Sequence, residues 1–384
     1  MQFKTITLLP LAAAALLLAG TAAAQETVVK IGHVAPMSGQ SAHLGKDNEN
    51  GAKMAIDELN TKGFLIGGKR VKFELVSEDD AADPKQGTAV AQKLVDAKVN
   101  GVIGHLNSGT TIPASRIYAD AGIPQISPSA TAPDYTKHGY KTAFRDCAND
   151  AQLGGTLGRY AVNQNNARKI AVIDDASAYG TGVAAEFSKG VRANTVGAKI
   201  VATERTTDKA TDFNAILTKI KGANADLIFF GGMDSVAGPM LHQMKALGIK
   251  AKFMGGDGIC TEDGLPKLAG DALADGQVVC AEAGGVEESG KKALNDWKAA
   301  YKKKFGVDVE IYAPYVYDAV MTMADAMQKA GSADPAKYLP TLAAIKHQGI
   351  TGTIEFDKNG DMKHGTMTLF TYKGGKREII AVAH

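Results

Sequence analysis

GVIGHLNSGTTIPASRIYADAGIPQISPSAT, residues 101–131, reads as strand, loop, helix, strand, loop. Val102-Ile103 is a short apolar run that breaks at Gly104 and opens into His105-Leu106-Asn107-Ser108-Gly109. The pattern predicts a helix over about 111–120. A second buried strand, 123–126, then opens into Ser127-Pro128-Ser129-Ala130-Thr131. Both loops fall at carboxyl ends of strands, the edge at which open α/β sheets bind ligands. Ser108 and Thr131 offer hydroxyls, and the amides of both loops lie near helix N-termini, which favours an anionic group. Neutral donors of this kind can hold a carboxylate without a buried arginine.

Working outward, the same grammar recurs on both sides. Val28–Val34 is a buried strand ending in Pro36-Met37-Ser38-Gly39, and 52–59 carries apolar residues at helical spacing. Val71–Val76 is a second strand with Glu78-Asp79-Asp80 at its end. Asp83-Pro84 reads as an N-cap followed by proline at the first helical position, opening a helix through Val95. A second set starts near Asp150, with strands at 169–173, 199–203, 226–230 and 252–254. Tyr179-Gly180 falls in the loop after the first of these. Phe213, Ile216, Leu217 and Ile220 fall at i, i+3, i+4 and i+7, a clear amphipathic helix. Gly231-Gly232-Met233-Asp234 and Gly255-Gly256-Asp257-Gly258 are the loops at the last two strand ends. Each half therefore reads as four strands with intervening helices. Crossover helices imply parallel sheets with right-handed connections, so the expected fold is α/β, two doubly wound lobes whose strand ends face a shared cleft. Beyond Val279 the pattern becomes mostly helical, with one stripe of Leu294, Trp297, Tyr301 and Phe305 suited to core packing. Further helices are predicted over about 313–330 and 335–345. Lys302-Lys303-Lys304 reads as the solvated face of the helix that carries the Leu294–Phe305 stripe. The turn Asp357-Lys358-Asn359-Gly360 implies hairpin-like strands near the end.

Composition narrows the function classes. Residues 1–24 carry one charge, Lys4, before the apolar run Leu8–Leu18, and Ala22-Ala23-Ala24 supplies small residues before Gln25. That is the pattern of a cleavable secretory signal peptide, with too short an apolar core to span a bilayer. It implies export, with the periplasm as the expected compartment. The rest of the chain is too long for one simple core and suggests two lobes. With 43 basic against 41 acidic residues, nothing calls for nucleic acid or an anionic membrane surface. No later stretch is apolar for long enough to insert in a membrane. Three cysteines are too few for a disulfide framework. In an oxidising compartment Cys260 and Cys280 can close a modest loop, leaving Cys147 alone; three unpaired buried thiols are the competing arrangement.

Catalytic and cofactor patterns are missing. The eight histidines are scattered without HxxxH or Cys/His spacing, so no metal is expected. His105 stands alone in its loop, where a histidine is more often structural than catalytic. Gly180-x-Gly182-x-x-Ala185 departs from a dinucleotide fingerprint because Ala176–Tyr179 separate it from the strand end, and no cofactor is expected. Ser108 and Ser127 have no histidine and acid placed by pattern to activate them. A binding site with few charges remains. Asp257, isolated among glycines at a strand end of the second half, is either the partner of a cation or a turn aspartate bonded to its own backbone. Tyr179 and Tyr312 are either pocket walls or ordinary surface aromatics.

Several stretches together carry a resemblance. IGHLNSGTTIPASRIY at 103–118 and ISPSATAP at 126–133 resemble the leucine/isoleucine/valine-binding proteins of ATP-driven import systems. The similarity extends through PMSGQSAHLGKDNENGAKMAIDELN, EDDAADPKQGTAVAQKLV, AYGTGVA, FMGGDG, LAGDA and DKNGDMKHG, nearly the whole chain after residue 25. It implies a type I periplasmic binding protein, with two lobes joined by three hinge crossings. The lobes would be 26–149 with 281–363, and 150–280 with 364–384. It also implies a non-enzymatic receptor that captures an aliphatic amino acid and presents it to the membrane permease of an ABC importer. By the same resemblance, Ser108 and Thr131 hold the α-carboxylate with main-chain groups around Ser129 and Ala130. The Ser129 carbonyl and Asp257 take the α-ammonium, Tyr179 closes from the second lobe, and Leu106, Asn107 and Tyr312 are wall positions. Asp257 stands where the best-known members have Glu, one methylene shorter. Leu44 and Met233 stand where those members have aromatics, and Ala82 and Asn107 replace the family's disulfide. An apolar wall consistent with Leu, Ile or Val is retained. The alternatives are the same fold with an amide, an aromatic acid or another small amino acid, or an exported α/β enzyme.

Overall fold

A computed structural model of the chain describes residues 1–2, 27–286 and 288–383. The signal-peptide segment read at 1–24 lies almost wholly outside the described residues. The chain builds one sheet, leaves it for a second, returns to lay helices and a small hairpin against the first, and ends in the second. The first sheet comprises β1 (Thr27–Ala35), β2 (Leu65–Ile66), β3 (Lys69–Asp79), β4 (Gly101–Gly104), β5 (Gln125–Ser127) and β6 (Ala143–Arg145), in the order β2-β3-β1-β4-β5-β6. Its helices are α1 (Ala42–Lys62), α2 (Pro84–Asp96), α3 (Ser108–Asp120) and the short α4 (Asp134–Lys137). The second section contributes α5 (Asp150–Asn163), β7 (Lys169–Asp174), α6 (Ala178–Arg192), β8 (Lys199–Arg205), α7 (Asn214–Gly222) and β9 (Leu227–Gly231). It continues with α8 (Asp234–Ala246), β10 (Lys252–Gly255), α9 (Gly264–Ala269) and β11 (Val278–Glu282). After β11 come α10 (Glu288–Phe305), α11 (Ala313–Ala330), α12 (Pro335–Ala343) and the small hairpin β12 (Lys346–Gln348) and β13 (Thr353–Glu355). The terminal strands β14 (Met367–Lys373) and β15 (Lys376–Ala383) complete the second sheet in the order β15-β14-β11-β10-β9-β7-β8.

The apolar strand runs dictate this layering. β4 and β9 are buried at every position, as parallel strands covered by helices on both faces must be. The helices α1 and α11 lay Leu59, Val316 and Val320 against β1 and β3, while Phe187 of α6 stacks on Phe229 of β9 at 3.8 Å between ring centroids. The Asp83 N-cap is formed: its carboxylate accepts from the Lys85 and Gln86 amides, with Pro84 at the first helical position. Three expectations need correction. The sheets hold six and seven strands rather than four each: the first gains β2 and β6, only two and three residues long and the latter ending in the charged Arg145, and the second gains β11 and the terminal pair β14 and β15. α3 begins at Ser108, three residues before the expected start, since hydroxyl residues fit a first helical turn. Tyr179-Gly180 lies in the first turn of α6 rather than in a loop, because Ser177 caps that helix through the Gly180 amide.

The chain passes between the sheets three times, near 146–149, 283–286 and 363–366, which gives the fold its hinge. Asn149 marks the first passage with a capping box: its side chain accepts from the Ala151 and Gln152 amides and its own amide donates to Gln152 Oε1. Cys260 and Cys280 are joined in a disulfide, and Cys147 is a buried free thiol. The disulfide ties the turn after β10 to β11, its neighbour in the sheet.

Candidate functional site

Carboxyl ends of β4, β5, β7, β9 and β10 converge on the cleft between the two sheets. On the first side, the loops at 105–109 and 127–131 are stitched together by serine hydroxyls. Ser127 Oγ donates to the His105 carbonyl at 2.9 Å and accepts from the Ala130 amide at 3.0 Å; Ser129 Oγ donates to the Leu106 carbonyl at 3.0 Å. Ser108 begins α3, where first-turn N–H groups have no acceptor within the helix. Its Oγ accepts from the Ala132 amide at 3.2 Å, which fixes the hydroxyl between the loops. Thr131 is fully buried and its hydroxyl has no hydrogen-bond partner.

Behind this edge stands a group that sequence reading missed. Arg145, at the end of β6, is fully buried. Its guanidinium donates to the Ala130 carbonyl at 2.6 Å, to the Ala132 carbonyl at 3.0 Å and to Asp361 at 2.7 Å. Because a peptide unit is planar and trans, a carbonyl held back by Arg145 turns the Thr131 N–H the opposite way. A remote arginine thus aims the loop's amides without touching an anion itself. The one signal in the sequence is an arginine closing an otherwise apolar Ala-Phe-Arg run.

Opposite, Asp257 opens a short 3₁₀ turn directly after β10 and is 1% exposed. It accepts hydrogen bonds from the Tyr179 hydroxyl at 2.8 Å and the Tyr312 hydroxyl at 3.0 Å, so it is more than a turn aspartate serving its own backbone. Burial pushes its carboxyl from the ordinary 3.8 up to about 6, against the opposing pull of the two tyrosines. An ionised carboxylate offers about four lone-pair sites. Two tyrosine donors therefore leave room for an ammonium. Tyr179 comes from α6 and Tyr312 precedes α11, so the pair brackets the acid from both sides of the cleft.

Leu106, Asn107, Ser108, Ser129, Tyr179, Met233, Asp257 and Tyr312 line one small cavity of about 10 Å³, room for no more than a water. Ala130 and Thr131 adjoin it on the 127–131 loop. Leu44 is not on that wall; it is buried in an apolar cluster that also holds Leu106, Tyr312, Phe230 and Ile259. The sharing of one cluster by residues from both sides shows the cleft shut. His43 of α1 adds a polar latch: its Nε2 lies 2.8 Å from Asp234, which also accepts from Thr261 at 2.9 Å. Burial opposes the His43 charge, but the hydrogen bond and charge of Asp234 outweigh it and raise the imidazole's pKa. A larger recess of about 760 Å³ continues outward past Asn107, Tyr179 and Met233.

Asp150, at the start of α5, was also missed. It is fully buried, neither carboxylate oxygen has a partner, and the Thr131 hydroxyl lies nearby outside good hydrogen-bond geometry. Burial pushes its carboxyl up to about 8, with Thr131 opposing and the charge of Asp257 adding to the rise. His105 is structural: Nδ1 pairs with Asp80 and Nε2 with the Tyr118 hydroxyl, both at 3.0 Å in the buried interior. Gly180 serves packing, since a Cβ there would lie 2.4 Å from the Gly231 carbonyl. Among the described residues no three metal-ligating side chains are grouped to hold an ion, and no helix is long and apolar enough to cross a membrane.

Residues 28–376 match the family model described as periplasmic binding protein. The chain belongs to the periplasmic binding protein family. Leu/Ile/Val-binding protein homolog 1 of Brucella abortus (strain 2308) is 37% identical over 368 residues, covering 95% of each chain. The leucine-, isoleucine-, valine-, threonine-, and alanine-binding protein of Pseudomonas aeruginosa is 36% identical, covering 90% of each. Among solved structures, the branched-chain amino acid transporter substrate binding protein LivJ from Streptococcus pneumoniae, in complex with isoleucine, superposes with a TM-score of 0.82 at 30% identity. That match covers 93% of this chain and 99% of the other. The two lobes with a cleft between them are thus the type I periplasmic binding protein fold.

Proposed function

We propose that this protein is a periplasmic receptor for branched-chain amino acids, Leu, Ile or Val, and delivers them to the membrane permease of an ABC importer. The observation that carries the reading is Asp257: a buried carboxylate with unused acceptor capacity, facing a loop edge of hydroxyls and amides across a narrow apolar gap. One side suits an ammonium and the other a carboxylate, the two charges every α-amino acid carries. Ser108 and Thr131, with the amides around Ser129 and Ala130, take the carboxylate; Asp257 and the Ser129 carbonyl take the ammonium. Leu106 and Met233 give the side chain an apolar wall, with Asn107, Tyr179 and Tyr312 completing the enclosure. Leu44 shapes it from behind.

Entry requires the lobes to part, because the inner cavity is too small for any amino acid in the shut form. In this reading the lobes are 26–149 with 281–363 and 150–280 with 364–384, the 281 boundary moving to 283 because β11 keeps Ala281 and Glu282 in the second sheet, and closure is the motion that ligand contacts on both lobes stabilise. Residues 1–24 act as the export signal, and the disulfide fits an oxidising compartment. The receptor has no catalytic or cofactor role. Apolar walls discriminate one methylene by only about 1–3 kcal/mol, so all three branched-chain ligands are accepted. Calorimetric titration of refolded, ligand-stripped protein with Leu, Ile, Val, an amide and an aromatic acid tests the reading. Heat with the aliphatic acids alone supports it; heat only with the amide or aromatic acid replaces it.

A further inference from the structure

Two polar contacts cross the cleft outside the small inner cavity, and they meet at Gly264. One joins His43, near the start of α1 on the first sheet, to Asp234, the first residue of α8 on the second; Nε2 and Oδ2 lie 2.8 Å apart. The other joins Glu310, from the segment before α11, to the turn that opens α9. The Glu310 carboxylate accepts from the Asp263 amide at 3.0 Å and the Gly264 amide at 3.1 Å, and its carbonyl accepts from the Glu262 amide at 3.1 Å. A Cβ at Gly264 would lie 2.3 Å from Asp234 and 2.9 Å from His43 Nε2, so this turn packs directly on the pair.

Each side assembles its half of the contact independently. Asp47, buried on α1, accepts from the Glu310, Ile311, Tyr312 and Ala313 amides, so His43 and Glu310 are tied into one unit. Opposite, the Thr261 hydroxyl donates to Asp234 and accepts from the Leu265 amide at 2.7 Å, which ties α8 to α9. Asp234 is fully buried and its second oxygen has no partner, so it depends on His43 and Thr261 for compensation. Acids face His43 from three elements: Asp234 of α8, Glu310 before α11 and Asp47 of its own helix. Lys46 of α1 and Lys267 of α9 are paired with Glu49 and Asp263. Burial works against the imidazolium, but the bond and charge of Asp234, with Glu310 and Asp47 adding, hold its pKa above the ordinary 6.5. The side chain is 27% exposed, so its proton exchanges with solvent.

We propose that His43 and Asp234 form a proton-dependent clasp on the shut cleft: the imidazolium of one lobe holds the buried carboxylate of the other, so closing takes up a proton. The clasp is fully engaged below the ordinary histidine value and is lost as pH rises through the raised value of the shut form. Asp47 and Glu310 travel with His43, so the difference between open and shut forms comes from Asp234. Ligand affinity scales with the population able to shut. His43 is thus a positioning residue, which sets affinity without touching the ligand.

The test has a ligand-free arm and a ligand arm. In the first, NMR follows the His43 imidazole through a pH titration of the full mature protein and of its Asp234→Asn variant. A midpoint lower in the variant by about half a pH unit or more is expected; equal midpoints would overturn the proposal. The second arm rests on the amino-acid receptor reading. Leucine affinity is measured by calorimetry from about pH 6 to about pH 9 for the parent and for His43→Gln, whose amide still reaches Asp234 but carries no charge. The parent should bind about threefold more tightly than the variant near pH 6, with the difference gone near pH 9. Asp150 and Asp257 are common to both proteins, so their own titrations cancel in that ratio. A ratio independent of pH would overturn the clasp and leave a merely structural histidine. Absence of leucine binding in both proteins would count against the receptor reading alone, and the ligand-free arm would still decide the clasp.

Discussion

Replacing Asp257 with Asn separates two effects that usually move together, ligand affinity and fold stability. The substitution keeps the shape of the side chain, so the Leu106, Met233 and Tyr312 walls stay in place. It removes a negative charge that is 1% exposed and faces the proposed ammonium. Truncating one partner of a buried, hydrogen-bonded charge pair costs about 2–5 kcal/mol of binding, a weakening of roughly 30- to 5,000-fold. Stability should move the other way. A carboxyl pushed from 3.8 to about 6 on folding costs the protein about 3 kcal/mol at pH 7, because the folded state resists its ionisation. Asn has no such penalty and can still accept from one tyrosine and donate to the other. The expectation is therefore a ligand-stripped variant that melts above the parent yet binds leucine at least 30-fold more weakly, the lower end of that range. Melting curves and calorimetry on the same preparations measure both. An affinity within about threefold of the parent refutes the charge assignment, whatever the stability does.

Other consequences can be checked independently. Replacing Cys260 and Cys280 together with Ser removes a cross-link between residues 20 apart in sequence, worth about 3 kcal/mol in a loop-entropy account; denaturant unfolding should show that loss, and an unchanged midpoint would contradict it. Arg145→Met should destabilise by about 3–5 kcal/mol, because it leaves Asp361 without its buried partner, and should also slacken the 127–131 loop; a stable variant with normal affinity would show that Arg145 does not set that loop. Asp150 makes a pH prediction. A carboxyl whose pKa is raised on folding binds more protons in the folded state between the two values, so its contribution to stability falls as pH rises, here from 3.8 to about 8. Asp150→Asn should therefore gain stability relative to the parent progressively between about pH 4 and pH 8, and parallel Tm profiles would count against it. Affinity for an amino acid should fall below about pH 6, as Asp257 takes up its proton.

Much of the architecture was legible because parallel strands covered on both faces are near-continuous apolar runs. The helix expected at 313–330 forms over those residues, and the Asp83-Pro84 start is correct. The features that escaped are short or polar. β6 is three residues ending in an arginine, a pattern no strand template favours, and the structure buries that arginine behind the 127–131 loop. The 101–131 stretch indicated the loops but not their backing, since Arg145 and Asp361 reach them only through tertiary packing. Asp150 follows a helix cap and looks like any first-turn acid; only the fold encloses it beside Thr131 and Asp257. Asp257 presented the opposite case: a lone acid among glycines leaves two possibilities, and the two tyrosine hydroxyls on it count against a turn aspartate that serves only its own backbone.

The central claim is that a shut cleft with one buried acid and one amide-rich edge is built for a zwitterionic aliphatic ligand. Calorimetric titration of ligand-stripped protein with leucine tests it most directly. One leucine site per chain is expected, with micromolar or tighter affinity, about −8 kcal/mol or more favourable. No binding heat with leucine, isoleucine or valine in any buffer would contradict it.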